Sequence, residues 1–373
     1  MNLGPFTRTT RPASARRSGA LAGTAALLLL TFGAAACGTA DPKTTPAPTG
    51  TATATPVPAT GDTSAAGTGG AGDAPGAPPS GGSSTNTPSV QFGKLFYGPV
   101  TRPSGENGNL RSWRPGDNPV RLMALPESAA VLNVNVSRDG RRVAWAGEGA
   151  DDGGDLYIAD VDGSNKQKMR SEVDPYCVTP AWSPDGRQLL FREDKPTGGF
   201  GRFGLLDVRS AKKTVRWWTT EPEDCHALWS ADGKTIAMST YAGVTLYSPD
   251  GTKLRVIPGF SRDGWSADDL ASLSPDGSRI ALLRMRPGDA AVMVKRDLRA
   301  NVVLDTRTGK QVSLPLGGRT LEQVYFQADG SMVVRVKTSN GYAVLLVDED
   351  GKKISEIAEP ASLKNEQILA VVD

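Results

Sequence analysis

One histidine, three cysteines and a set of loop carboxylates limit the side-chain chemistry open to this 373-residue chain. With His226 the sole histidine, a multi-histidine metal site is excluded, and a Ser-His-Asp or Cys-His pair can form only through that residue. No Gly-x-Ser-x-Gly elbow accompanies it, so His226 reads as a pore-lining or hydrogen-bonded residue at the mouth of a strand. Cys177 and Cys225 lie six and five residues before two equivalent serines, Ser183 and Ser230. That placement predicts a disulfide between neighbouring strands, with two buried thiols as the alternative. Closing the 48-residue separation contributes on the order of 4 kcal/mol in the loop-entropy picture. Carboxylates offer a second route, because glycoside cleavage needs only a pair of them. Glu221, Glu223, Asp224, Asp263, Asp268 and Asp269 occur near Trp217, Trp218 and Trp265, a combination that suits a sugar or peptide surface and equally a solvated loop. Glu148, Asp151, Asp152 and Asp155 share a glycine-rich loop without the alternation of an EF-hand, which favours an acidic loop over a calcium site. No cofactor and no metal are implied.

The elements that must carry these residues are marked by a recurring turn: Ser137-Arg-Asp-Gly140, Ser183-Pro-Asp-Gly186, Ser230-Ala-Asp-Gly233, Ser274-Pro-Asp-Gly277 and the weaker Gln327-Ala-Asp-Gly330. The spacings of 46, 47, 44 and 53 residues are those of four-stranded propeller blades. Proline presets φ, aspartate bonds nearby amides, and glycine accepts the positive φ that closes a hairpin. Each turn is followed by a second apolar run and then a third, such as Leu156 to Asp160 or Val344 to Asp348. Ser248-Pro-Asp-Gly251 is out of phase and reads as a third-to-fourth strand turn. Five units cover Val131 to about Glu359. The leftover front segment offers Lys94 to Tyr97, Leu110 to Trp113 and Val120 to Met123 as strands two to four, and the tail Gln367 to Val372 supplies the missing innermost strand. The predicted fold is therefore all-β, a six-bladed propeller of four-stranded antiparallel blades whose last blade is shared by the two chain ends, a closure that removes exposed edges. The pattern of aromatic, Ser, Pro, Asp, Gly, basic and apolar residues in Trp182 to Leu189 and Trp229 to Ile236 resembles the WD40-like repeats of TolB-type six-bladed propellers, over about residues 91–373. That resemblance implies the fold; a propeller serves binders, enzymes and assembly factors alike.

The first ninety residues read as delivery and spacing. Arg8, Arg11, Arg16 and Arg17 precede an uncharged stretch, Ser18 to Ala36, that ends in Ala34-Ala35-Ala36-Cys37. Small residues before a cysteine fit a signal-peptidase cleft, and the arrangement resembles a bacterial lipoprotein signal, which implies a palmitate-type lipid on Cys37 and a chain anchored to the cell membrane on its extracytoplasmic side. An uncleaved membrane anchor is the alternative, since nineteen uncharged residues match a bilayer core of ~30 Å. Gly38 to Val90 is rich in Thr, Pro, Ala, Gly and Ser and cannot bury enough apolar surface to fold; its 53 residues would span roughly 40 Å as a flexible tether. The division is thus 1–36 signal, 37–90 lipidated cysteine and linker, 91–373 propeller. Removing four signal arginines from 42 basic residues leaves 38 against 40 acidic ones, a balance of about −2 that excludes nucleic acid as an expected partner.

Together these features predict an extracytoplasmic, non-catalytic binding or scaffold module for a protein or envelope polysaccharide, with a carboxylate-based glycoside hydrolase or lyase as the alternative. The ligand face is expected opposite the Ser-x-Asp-Gly turns, where irregular loops gather around Trp218, Asp224, His226, Asp263, Trp265 and Asp268.

Overall fold

A computed structural model describes residues 90–373 apart from 101–107, 128, 149–152, 176–179, 196–200, 223–224, 241–242, 262–263, 287–288 and 290–297. Cys37, the signal segment and the linker lie outside the described residues, as do Cys177, Asp224 and Asp263. No helix among the described residues is long and apolar enough to cross a membrane.

The chain begins with β1 (Lys94–Pro99), β2 (Asn109–Trp113) and β3 (Val120–Ala124). Blade one follows as β4 (Ala129–Val136), β5 (Arg142–Glu148), β6 (Gly154–Asp160) and β7 (Gln167–Val173). Blade two is β8 (Ala181–Trp182), β9 (Gln188–Arg192), β10 (Phe203–Asp207) and β11 (Val215–Trp217), and blade three is β12 (Cys225–Trp229), β13 (Ile236–Thr240), β14 (Gly243–Tyr247) and β15 (Lys253–Val256). Blade four comprises β16 (Ser266–Leu273), β17 (Arg279–Met285) and β18 (Val302–Asp305); blade five comprises β19 (Leu321–Phe326), β20 (Met332–Thr338), β21 (Gly341–Val347) and β22 (Lys353–Ala358). The last strand, β23 (Glu366–Val372), pairs antiparallel with β1, giving blade six the order β23-β1-β2-β3. The expected closure through both chain ends is therefore present. In blade four the fourth strand shrinks to the single bridge Leu304–Gln311, supported by Val312 N–H donating to the Val303 carbonyl at 2.8 Å. Pro315 lacks the donor a longer ladder would need, and Val312, Leu314 and Leu316 pack inward against blades four and five instead.

The repeated turn has one bonding scheme. In the first, Ser137 Oγ donates to Asp139 Oδ1 at 2.6 Å and accepts from Arg142 N–H at 2.9 Å, while Asp139 also accepts from Arg141 N–H at 3.1 Å. Ser183, Ser230 and Ser274 repeat it with Asp185, Asp232 and Asp276. Partial burial pushes these carboxyls up, yet the serine hydroxyls and backbone amides outweigh it and leave all four below the usual aspartate value. The glycines that end the turns have φ between +63° and +72°. Ser248 lies between β14 and β15, confirming its different phase.

The innermost strands touch in the cyclic order β4, β8, β12, β16, β19, β23 and back to β4. Between each neighbouring pair of blades lies an apolar wedge, for example Trp182, Leu189 and Phe191 against Ala144, Leu156 and Ile158 of blade one. Trp182 fills this wedge as expected, its Nε1 donating to the Asn135 carbonyl at 3.1 Å under the Arg142 guanidinium. The outer strands are the more exposed ones, β15 at every residue, although β7 turns Met169 and Val173 inward. Inner strands run toward the Ser-x-Asp-Gly turns, so their first residues define the opposite face.

Candidate ligand-binding site

Of the residues expected on that opposite face, the described ones divide. Trp265 stands just before β16, half-buried, with the Arg284 and Arg286 guanidiniums 4.2 and 5.8 Å from its ring centre. Trp218 is instead buried, its ring between Phe203 and Tyr247 and its Nε1 donating to the Pro249 carbonyl at 3.1 Å. The reason is the neighbouring turn: Gly251 lies so close that a Cβ there would sit 2.5 Å from the indole. The ring thus fills the wedge between blades two and three and offers no ligand surface.

His226 and Asp268 are also interior. β12 carries a bulge between Cys225 and Leu228, where His226 takes a φ of +54°, and β16 carries one between Ala267 and Asp269. Together they set His226 Nδ1 3.7 Å from Asp269 Oδ1, with both side chains about 1% exposed; Asp269 also accepts from the Leu270 N–H at 2.7 Å. The 3.7 Å separation is that of two facing polar groups and is longer than a hydrogen bond, and burial removes His226 and Asp268 from the ligand surface. Cys225, next to it, is disulfide-bonded. Asp155 of the acidic loop is held by Lys168 Nζ at 2.7 Å and by the Tyr157 hydroxyl at 3.1 Å, and the described residues contain no group of three metal-ligating side chains.

Two concavities emerge that the sequence did not announce. An axial cavity of about 140 Å³ takes residues from all six inner strands and reaches Ser137, Arg138, Pro184 and Ser230, at the turn end. On the other side of the axis from its own blade, Leu298, carried by the second-to-third strand connection of blade four, is buried with Ala129, Val134 and Leu369 of blades one and six.

The larger cavity, about 420 Å³, lies between blades five and six on the face opposite the turns. Its floor is a buried charge network. Arg335 projects from the second strand of blade five against the Glu359 carboxylate, and its Nη1 donates to Glu366 carbonyl at 2.8 Å and Gln323 Oε1 at 3.2 Å. Tyr97 of blade six donates its hydroxyl to Glu359 Oε2 at 3.0 Å, and Tyr342 lies under the guanidinium at 3.9 Å. Gln323 fixes the closing strand by donating to the Ile368 carbonyl at 3.0 Å and accepting its N–H at 2.9 Å. Glu366 pairs with Arg111 Nε at 2.9 Å. Burial is the main force on both carboxyls: Glu359 is raised although Arg335 opposes, and Glu366 is pushed up to about 7 against Arg111. Around the rim stand Arg299, Glu322, Lys364 and Asn365.

No family model matches the chain. Its sequence is 28% identical over 143 residues to the uncharacterized peptidase YuxL of Bacillus subtilis (strain 168), covering 38% of this chain and 20% of that protein. It is 25% identical over 172 residues to the Tol-Pal system protein TolB of Anaeromyxobacter dehalogenans (strain 2CP-C), covering 45% of this chain and 36% of that protein. The chain thus spans about a fifth and just over a third of the length of these curated relatives. Among solved structures, TolB from Acinetobacter baumannii aligns with 72% of this chain and 64% of its own, at 20% identity and a TM-score of 0.47. The propeller is TolB-like, as the turn motifs imply.

Proposed function

We propose that this chain is a membrane-anchored extracytoplasmic lipoprotein whose propeller acts as a non-catalytic binding or scaffold module for a protein or cell-envelope component. The observation that carries the reading is the polar cavity between blades five and six: a concave site with convergent buried polar groups, set on the face that also bears Trp265 and its two arginines. Rigid strands hold its floor while its rim comes from strand ends and connections, the usual division between scaffold and recognition. The extracytoplasmic address is supported by the lipoprotein-like Ala34-Ala35-Ala36-Cys37 and by the bonded state of Cys225, which belongs to an oxidising compartment. Anchoring would place the propeller at the end of the 38–90 tether. Cys177 is the proposed partner of Cys225.

The test is photo-crosslinking in intact cells, with the reactive residue at Lys364 or Asn365 on the proposed face and at Arg138 on the turn end. A partner captured from the first two positions and absent from the third supports the reading; capture from Arg138 alone overturns it. A captured polymer that is cleaved by the purified full-length protein would favour the hydrolase or lyase instead. Loss of lipid labelling in Cys37→Ser, with release from the membrane, checks the anchor.

A further inference from the structure

The face opposite the turns is electrically divided. Over blades four and five it carries Arg284, Arg286, Arg299, Lys337 and Lys364, all exposed except the half-buried Arg284. Printed contacts link these cations into one rim. The Arg284 and Arg286 guanidiniums stand 4.2 and 5.8 Å from the ring centre of Trp265. Asn301 grips the Arg284 backbone, its side chain accepting the N–H at 2.8 Å and donating to the carbonyl at 2.7 Å. Two residues before Asn301, Arg299 lines the cavity between blades five and six together with Lys364 and Tyr342, and Lys337 is the cross-strand partner of Tyr342. The neighbouring acids are fewer. Arg319 occupies Glu356, Arg335 occupies Glu359 and Arg111 occupies Glu366, which leaves Glu322 and Asp289 among the described residues beside the five cations. Over blades one to three the balance reverses: outside the pairs Arg192–Asp174 and Arg202–Glu193, the described residues carry Glu127, Glu172, Asp194 and Glu221 against Lys195. A face split in this way attracts and orients a partner of opposite charge.

The cations are coupled to aromatic side chains: Arg284 and Arg286 to Trp265, and the cavity's Arg335 to Tyr342 at 3.9 Å. Arg, Trp and Tyr are the residues that carry most of the energy at protein–protein interfaces. A lipid surface fits this face less well, because the chain enters the propeller at the other end, where the Gly93 N–H donates to Gln327 Oε1 at 2.6 Å in the turn of blade five. We propose that the rim over blades four and five docks an acidic segment of a partner protein. Its carboxylates meet Arg284, Arg286, Arg299, Lys337 and Lys364, beside Trp265 as the aromatic anchor. The inference rests on the reading of this face as the ligand face and specifies the chemistry of the partner.

The experiment is selection of a bead-displayed random peptide library against the full-length protein in detergent, followed by fluorescence-anisotropy titration of the selected peptide. Polygalacturonate and phosphatidylglycerol vesicles serve as parallel arms. The selected peptides are expected to be rich in Asp and Glu and to bind more weakly as salt is raised, since exposed charges are screened. Arg286→Glu with Lys337→Glu should weaken the peptide at least about tenfold, mainly through slower association. Trp265→Ala should cost a similar factor. Arg187→Glu, the same charge change at the turn end on a side chain 62% exposed, should leave binding unchanged. The charge changes all fall on exposed residues and should leave the thermal melt unaltered, so the proposal stays testable if Trp265→Ala fails to fold. It is overturned if selection enriches no acidic peptide, if the double variant binds as the native chain does, or if polygalacturonate or the vesicles bind more tightly than the selected peptide. A neutral selected peptide whose binding is lost in Lys364→Glu would refute the acidic partner while leaving the ligand face standing; a peptide lost only in Arg187→Glu would overturn the face itself.

Discussion

Arg335 and Glu359 form a buried ion pair across blade five, with side chains 2% and 1% exposed, and the Tyr97 hydroxyl from blade six donates to the same carboxylate at 3.0 Å. The pair joins the last complete blade to the one closed by the chain ends. Removing one partner strands a buried charge. Arg335→Met and Glu359→Gln are each expected to lower stability by about 3–5 kcal/mol in urea denaturation, whereas Arg335→Met with Glu359→Leu should cost far less than the sum. Additive losses would show that the two groups act separately.

The closing strand supplies the inner edge of blade six. Deletion of residues 365–373 removes all of β23 and its pairing with β1 from Lys94–Val372 to Pro99–Glu366, leaving two inner strands without a neighbour. The truncated chain should lose its cooperative unfolding transition and aggregate, as size-exclusion chromatography and circular dichroism would record.

Glu366 makes stability depend on pH in a defined direction. Its folded-state value, about 7, exceeds the ordinary 4.5 because burial outweighs Arg111 and Glu359 adds to the rise. The folded protein holds this proton more tightly than the unfolded chain. Its contribution is therefore complete below about pH 4.5 and is lost as pH rises through about 7. The stability difference between the native chain and Glu366→Gln, measured by denaturation at a series of pH values, should shift against the native chain across that window; a flat difference contradicts the assignment.

Each Ser-x-Asp-Gly turn is worth a modest, local amount. Ser183→Ala breaks the donation to Asp185 at 2.6 Å and the acceptance from Gln188 N–H at 2.9 Å, for an expected loss of about 1 kcal/mol. Changing Ser137 and Ser230 as well should add nearly independently, because the turns belong to different blades. A loss several times larger at one turn would give that turn a role beyond closing a hairpin.

The bonded state of Cys225 is checked by a peptide map without reductant, which should recover a Cys177–Cys225 crosslink. Reduction should then lower stability by on the order of 4 kcal/mol, the loop-entropy value for this separation. Recovery of free Cys177 would redirect the bridge.

Much of the fold was legible because it rests on local rules repeated along the chain. The five turns bond within themselves, so their residues declare them; the phase of Ser248 was readable for the same reason. Trp182 was readable as wedge filling, while Trp218 was not, since its burial depends on how closely Gly251 of the next blade approaches. Burial of His226 and Asp268 likewise depends on bulges in two adjacent strands. Arg335, Glu359 and Glu366 carried no motif at all: 24 and 31 residues separate Arg335 from Glu359 and from the Glu366 carbonyl, and only ring closure brings Tyr97 to the same carboxylate, 262 residues from its own position.

By itself, then, the order of residues determined the blade grammar, the blade count and the pairing of the two chain ends, because hairpin turns and alternating apolar runs are short-range chemistry. Tertiary structure alone decided which face carries the polar cavity, which tryptophan is surface and which is core, and where buried charges meet. Those outcomes depend on distances between blades, and such distances exist only once the ring has closed.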